Sequence, residues 1–209
     1  MALSTLRSTP QSGESADATA LALHEKAASS RPEPISAEEA ADAIDHLRDR
    51  LEHAEGMSPP TETSPGKWGR RLAGTAEILD LIEGALPGMD PAKSQILAQH
   101  RGGKCVGLML VEYDKTPSNI YAFVTTPEPV ARGVGMQLLT DLLAREKTRI
   151  GPQVEVAVQL TAADNSAGSI YDYWGFVQDD SNGHCVLKPA ESPHWKAEGD
   201  AFRFSRHPG

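Results

Sequence analysis

The chain lacks what several common protein classes require. Two of its 209 residues are cysteine, too few for a disulfide-built scaffold or a cysteine-rich zinc site. Neither Cys-x-x-Cys nor His-Glu-x-x-His occurs, and the seven histidines are scattered, so no metal site is expected. No apolar run approaches the roughly 20 residues that span a bilayer, so no membrane partner is expected. Positive charge is in deficit: 20 Lys and Arg against 29 Asp and Glu give a net −9. That balance argues against intrinsic binding to nucleic acid or anionic membranes. The first residues lack a basic region followed by an apolar core, so no ordinary secretory signal is expected. The Gly-x-Ser-x-Gly elbow of a serine nucleophile is missing, and no internal repeat is visible. Cys105 and Cys185 fall on predicted strands and read as buried free thiols in a reducing cytoplasm rather than a disulfide.

What is present has a clear order. Residues 1–35 are rich in Ser, Ala, Thr and Pro, with little apolar periodicity, and read as mostly disordered. A Ser-rich start of this kind also resembles the export region of bacterial effectors delivered into host cells, the alternative to a cytoplasmic location. Ser36-Ala37-Glu38-Glu39 is a capping box. Ala40, Ile44, Leu47 and Leu51 follow at helical spacing, so a helix is predicted over 36–55, stopped by Gly56. A Pro-rich linker over 57–66 comes next. Through Pro65 the chain holds twelve acidic and five basic residues, −7 of the net −9. This charge break places an expected boundary near residue 65. Residues 1–65 are then an appendage, with a solvated or docked acidic helix, 66–190 the main domain and 191–209 an irregular tail. Trp195, Phe202 and Phe204 are the tail's candidates for docking.

Within the main domain, Ile78, Leu79, Leu81, Ile82 and Leu86 predict a helix over 73–86, ended by Pro87-Gly88. Ser94–Gln99 and Cys105–Tyr113 read as a hairpin around Arg101-Gly102-Gly103. Ser181-Asn182-Gly183 marks a second hairpin, pairing Val177–Asp179 with His184–Leu187. Between them lies the stretch that organises the chain. A strand (Ile120–Thr125) reaches the loop Ala131-Arg132-Gly133-Val134-Gly135, which opens an apolar-striped helix. A strand over 154–160 and a short helix ending at Tyr171-Asp172-Tyr173-Trp174-Gly175-Phe176 follow. Two glycines at a strand-to-helix turn allow close approach to the backbone. The unpartnered first N–H groups of a helix and its dipole make an anion site there, suited to a pyrophosphate. Taken alone, Gly-x-Gly reads more readily as a tight strand-to-helix turn. A Rossmann site fits worse, because the glycine pattern is short and the preceding hairpin implies a mixed sheet.

The segment Thr125–Leu139, TTPEPVARGVGMQLL, resembles the acetyl-CoA loop of the Gcn5-related N-acetyltransferases (GNAT superfamily). That loop runs approximately Val-x-Pro-Glu-x-(Arg/Gln)-x-x-Gly-x-Gly/Ala before a helix with paired leucines. Ala167–Phe176 is similar to the family's Ala-x-x-x-Tyr-x-x-x-Gly-Phe helix and turn, in the family's order and with a strand between. The resemblance covers about residues 72–189. It departs at Val130, where the family has Arg or Gln, with Arg132 as the substitute charge, and at Asp164, with Asn165 one place late.

The resemblance implies an α/β (α+β) fold: a mixed, mostly antiparallel sheet flanked by helices, with a parallel pair formed by the 119–125 and 154–160 strands. It implies acetyl transfer from acetyl-CoA to a primary amine of a small molecule, a protein N-terminus or a lysine, in a monomer or homodimer. Main-chain groups of Val124 and Thr125 would hold the pantetheine arm. Amides of Arg132, Gly133, Val134, Gly135 and Met136 would cradle the pyrophosphate, and Asn165 would also contact the cofactor. Tyr171 falls at the position of the general acid, its rival reading being a core tyrosine; Tyr173 lies on a different helical face. Glu112, Glu128, Glu155 and Gln159 are the polar groups weighed for a base, each also readable as a surface residue, with water as a further relay. His184 reads as a strand-surface histidine. The alternative from another class is a CoA-binding or protein-binding module that kept the fold without catalysis, which Val130 and Asp164 favour.

Overall fold

A computed structural model describes residues 31–60, 63–159, 168–179 and 183–206. The disorder expected for the first 30 residues therefore lies outside the described residues, as do Asp164, Asn165 and the first two residues of the Ser181-Asn182-Gly183 turn. The described elements are β1 (Glu33–Ile35), α1 (Ala37–Glu55), α2 (Pro65–Ala85), β2 (Ser94–Arg101), β3 (Lys104–Glu112), β4 (Ser118–Thr125), α3 (Val134–Ile150), β5 (Val156–Gln159), α4 (Gly168–Trp174), β6 (Val177–Gln178), β7 (His184–Leu187), β8 (Trp195–Glu198) and β9 (Ala201–Phe204). Strands β1–β7 form one sheet in the order β1-β2-β3-β4-β5-β7-β6, and β8 and β9 form a separate hairpin.

Local chemistry accounts for these elements. Gly102 and Gly103 both have positive φ, 57° and 75°, the conformation a two-residue turn needs to match strand twist between β2 and β3. Ser36 caps α1 as expected: its hydroxyl accepts from the Glu39 N–H at 3.2 Å, and the Glu39 carboxylate accepts from the Ser36 N–H at 2.8 Å. The pair β4/β5 is parallel, joined by α3 as crossover, and the other pairs are antiparallel. This is the mixed, mostly antiparallel sheet flanked by helices that the resemblance implied.

The sheet is buried on both faces. Leu108, Leu110, Ala122 and Val124 pack with α1 and α2 on one. Val106, Met109, Val111 and Ile120 pack with α3, α4 and the β8–β9 hairpin on the other. The paired end of β4 is pinned to α3 by a buried network. Ser118 Oγ donates to Glu146 Oε2 at 2.6 Å, and Arg149 donates to both. Cys105 and Cys185 are buried in the packing of opposite faces and are not joined in a disulfide, and burial pushes the Cys105 thiol up to about 11. No helix among the described residues is long and apolar enough to cross a membrane.

Three expectations need correction. The packing does not divide near residue 65. β1 pairs with β2, Glu33 opposite Ala98 and Ile35 opposite Ile96. α1 buries Ala40, Ile44, Leu47, Leu51 and Ala54 against Ile96, Leu108 and Val124. Arg48 of α1 also reaches Asp80 and Glu83 of α2 at 2.7 and 2.5 Å. The acidic charge that suggested an appendage lies on the outer side of a helix whose other side covers the sheet. Second, α2 begins at Pro65 rather than 73. Its first turns bury Trp68 and Leu72, and Gly66, Gly69 and Gly74 dilute the helical signal. Third, the carboxy-terminal stretch is a hairpin rather than irregular. Trp195 and Phe202 are buried, and the Trp195 indole N–H donates to the Trp174 carbonyl at 2.7 Å.

Ile44 is fully enclosed on α1. Ile44→Ala is expected to lower the urea-unfolding free energy by about 2–5 kcal/mol. A loss under about 0.5 kcal/mol, the range of surface substitutions, would return α1 to the status of an appendage.

Candidate active site

The site begins with a disagreement between two strand pairings. β4 pairs with β5 at Ser118, Asn119 and Ile120. It stays paired with β3 as far as Thr125, opposite Gly107. Among the described residues, Ala122–Thr125 therefore have a β3 partner and no β5 partner, and Tyr121 sits at the bulge where the β3 register shifts. The Thr126 N–H donates to Val106 O at 3.0 Å, so residue 126 turns its main chain to β3. By alternation Val124 does the same, whereas Phe123 and Thr125 turn theirs to the open edge. Of the two residues expected to offer main-chain groups, Thr125 is so placed; Val124 is not, and its side chain is buried under α1 and α2.

The glycine loop adds the second component. A 3-10 turn over Pro129–Ala131 leads to Gly133, the N-cap of α3, whose φ of 82° disfavours any side chain although a Cβ there would meet nothing. Gly135 is required for a different reason. A Cβ would sit 2.6 Å from Phe123 Cζ and 3.0 Å from Trp174 Cη2. One glycine serves conformation and the other packing, where the sequence suggested ligand approach for both. The first α3 bond seen at this end is Gln137 N–H to Gly133 O at 3.1 Å. The amides of Val134, Gly135 and Met136 precede it and have no partner within the helix. With the helix dipole they give this end of α3 a positive potential, and the exposed Arg132 lies two residues before it in the chain.

Aromatic packing places Tyr171. Its ring is edge-on to Trp174 at 5.7 Å and to Phe176 at 5.3 Å, and Trp174 in turn meets Phe123 at 5.8 Å. Tyr171 is 7% exposed, in a cluster that reaches the glycine loop through Trp174 and Gly135. Tyr173 is 43% exposed and packs on Phe204, on another face as expected. Each carboxylate weighed as a base already has a partner. Glu128 is ion-paired with Arg50, Glu155 with Lys188 at 3.1 Å, and Glu112 accepts from Lys115 at 2.5 Å and Asn119 at 2.8 Å. Gln159 is exposed, and His184 stands opposite it on β7. No group of three metal-ligating side chains occurs among the described residues.

Sequence reasoning missed Phe123, Arg50 and Arg101. Arg50 reaches the loop from α1 through Glu128, and Arg101 from the end of β2, where it donates to Val130 O and to Arg132 O. Both contacts join residues distant in sequence, so no local pattern marks them. One further polar group at the open end of β4 has no partner: Thr126 is 1% exposed and its Oγ1 is buried without a hydrogen bond. An open strand edge, the first amides of a helix and an unmet hydroxyl together fit a ligand with an amide-bearing arm and a pyrophosphate.

The chain is similar in fold to solved acetyltransferases. The PaiA N-acetyltransferase of Thermoplasma acidophilum, in complex with coenzyme A, is 14% identical, with a TM-score of 0.44 over 74% of this chain and 94% of that one. An acetyltransferase from Thermus thermophilus is 14% identical, TM-score 0.45, over 83% and 96%. A GNAT family acetyltransferase from Elizabethkingia anophelis with acetyl-CoA bound is 14% identical, TM-score 0.43, over 63% and 95%. No protein-family model and no curated protein sequence matches the chain.

The two glycines separate by experiment. Gly135→Ala is expected to destabilise the fold by about 1–3 kcal/mol through collision with Phe123 and Trp174. Gly133→Ala, which forces a left-handed residue into open space, is expected to cost about 1–2 kcal/mol. In Gly135→Ala/Trp174→Leu the cost of the Gly135 change should shrink. An unchanged cost in urea melts would contradict the packing role.

Proposed function

We propose that this chain is an N-acetyltransferase of the Gcn5-related type, moving an acetyl group from acetyl-CoA to a primary amine. The observation that carries this reading is the meeting of the open β4 edge with the first α3 amides, since the Phe123 ring lies against Gly135. A pantetheine arm carries amides that suit the edge, and a pyrophosphate suits the helix amides.

In this reading main-chain groups of Phe123 and Thr125 hold the pantetheine amides, and the amides from Arg132 to Met136 hold the pyrophosphate. Acetyl-CoA supplies, when bound, an acyl thioester activated towards amines. Orienting the amine against it converts a bimolecular encounter into a local one. As the C–N bond forms and the C–S bond breaks, Tyr171 donates its phenolic proton to the departing sulfur. The amine's proton leaves to water, which returns one to the Tyr171 phenolate, because Glu112, Glu128 and Glu155 are engaged in ion pairs. Those same pairings, with the burial of Tyr171, favour a second reading: a CoA-binding module without catalysis. We also propose a reducing compartment, since both cysteines are buried and are not joined to one another in a disulfide.

The readings separate in two steps. Acetyl-CoA should stabilise the protein under both, by about 2.7 kcal/mol at a hundredfold excess over Kd. Tyr171→Phe should lower kcat with a good amine acceptor by about 10²–10⁴, with little change in acetyl-CoA affinity. The drop should be smaller for an acyl donor with a more acidic leaving thiol, and Tyr173→Phe should be nearly silent. Activity of Tyr171→Phe within about threefold of the parent would remove Tyr171 from the chemistry.

A further inference from the structure

The residue that the acetyl-CoA loop resemblance assigns to Arg or Gln is Val130, which is 38% exposed and carries no charge. Besides Arg132 within the loop, a second guanidinium reaches it from another element. Arg101, the last residue of β2, donates through Nη1 to the carbonyl of Val130. Through Nη2 it donates to the carbonyl of Arg132 at 3.1 Å and to Gln137 Oε1 at 3.3 Å. Its Nε is buried with no hydrogen-bond partner. All three of these acceptors belong to the glycine loop or the first turn of α3. The hairpin turn after Arg101 is held by Gly102 and Gly103, so the side chain springs from a fixed base.

The direction of these bonds determines what they do. In a trans peptide the C=O of one residue and the N–H of the next point in opposite directions. Holding the Arg132 carbonyl toward Arg101 therefore turns the Gly133 N–H away from it, to the opposite side of the loop. The fork also neutralises two carbonyl dipoles that would otherwise lower the positive potential of this end of α3. A planar guanidinium can take two carbonyls at once, which an ammonium cannot do in the same geometry. The opposite end of the loop is held from the other face of the sheet by the Arg50–Glu128 pair.

We propose that Arg101 is the positioning residue of the anion cradle: it fixes the carbonyls of Val130 and Arg132 away from the ligand and supplies, from β2, the charge that residue 130 lacks. The role in ligand binding rests on the acetyl-CoA reading; the role in loop shape does not. Arg101 acts from behind the loop and is not assigned a contact with substrate.

The test uses the full chain, the Arg101→Gln and Arg101→Lys variants, and two measurements. The first is amide hydrogen exchange without ligand at Ala131 and Gln137, whose N–H groups bond within the loop to Glu128 O and Gly133 O. Arg101→Gln should speed exchange at both by about tenfold or more while amides of β3 and β4 keep their protection, and Arg101→Lys should fall between. The second is titration with CoA and with pantetheine, which lacks the pyrophosphate. Arg101→Gln should weaken CoA by about tenfold and leave pantetheine unchanged. Unchanged exchange at Ala131 and Gln137 overturns the positioning role, and so does equal weakening of CoA and pantetheine or no weakening of either. If the unsubstituted protein binds no CoA while Arg101→Gln still loosens the loop, the acetyl-CoA reading fails and the positioning of the loop stands.

Discussion

Among the described residues, strand β4 does not keep both of its neighbours along its whole length. It is paired with β5 at Ser118, Asn119 and Ile120, and with β3 at Asn119, Ile120 and Ala122–Thr125. Buried backbone polar groups are rarely left without partners, so an open edge inside a sheet calls for something to bond to it. Every other feature of the site depends on this parting. It turns the main chain of Phe123 and Thr125 outward, and it brings the glycine loop to the mouth of the opening.

The opening survives because the elements around it are tied firmly. At the paired end, the buried Glu146 carboxylate is met by Ser118 and Arg149. At the open end, arginines reach the loop from both faces of the sheet, Arg50 from α1 and Arg101 from β2. The few aromatics of the chain are concentrated behind it. Phe123, Tyr171, Trp174 and Phe176 meet in tilted and edge-on pairs, and Trp195 from the terminal hairpin closes the group with a bond to the Trp174 carbonyl. Edge-to-face contacts of this kind add directional preference to plain apolar burial. Gly135 has to lack a side chain because this cluster occupies the space.

Local chemistry was readable in the sequence, and long-range packing was not. The Ser36 capping box, the Gly102-Gly103 turn and the strand-loop-helix around Gly133 each follow from residues within a few positions, and each was found. The parallel pairing of β4 with β5 came from the resemblance and was also found. The expected boundary near residue 65 did not match the packing, because charge counts weigh a helix's outer side as heavily as the side it buries. The β8–β9 hairpin was missed because four-residue strands bounded by exposed polar residues carry little period-two signal. Around the loop, the strand-to-helix turn at Gly133 was legible from its glycines. Val124 was placed one residue out of phase, since the alternation of main-chain direction depends on the β3 register. Arg101 could not be found by any local rule: its partners lie 29 to 36 positions away.

The central claim is that the parted β4 edge and the α3 amides receive one ligand, coenzyme A. Backbone amide NMR of the full chain during a CoA titration reads both halves at once. The account predicts large, saturable shifts at Phe123 and Thr125 and at Gly133, Val134, Gly135 and Met136, with β1 and β2 unmoved. Shifts absent from these residues at saturating CoA, or confined to the β6–β7 edge, would contradict it.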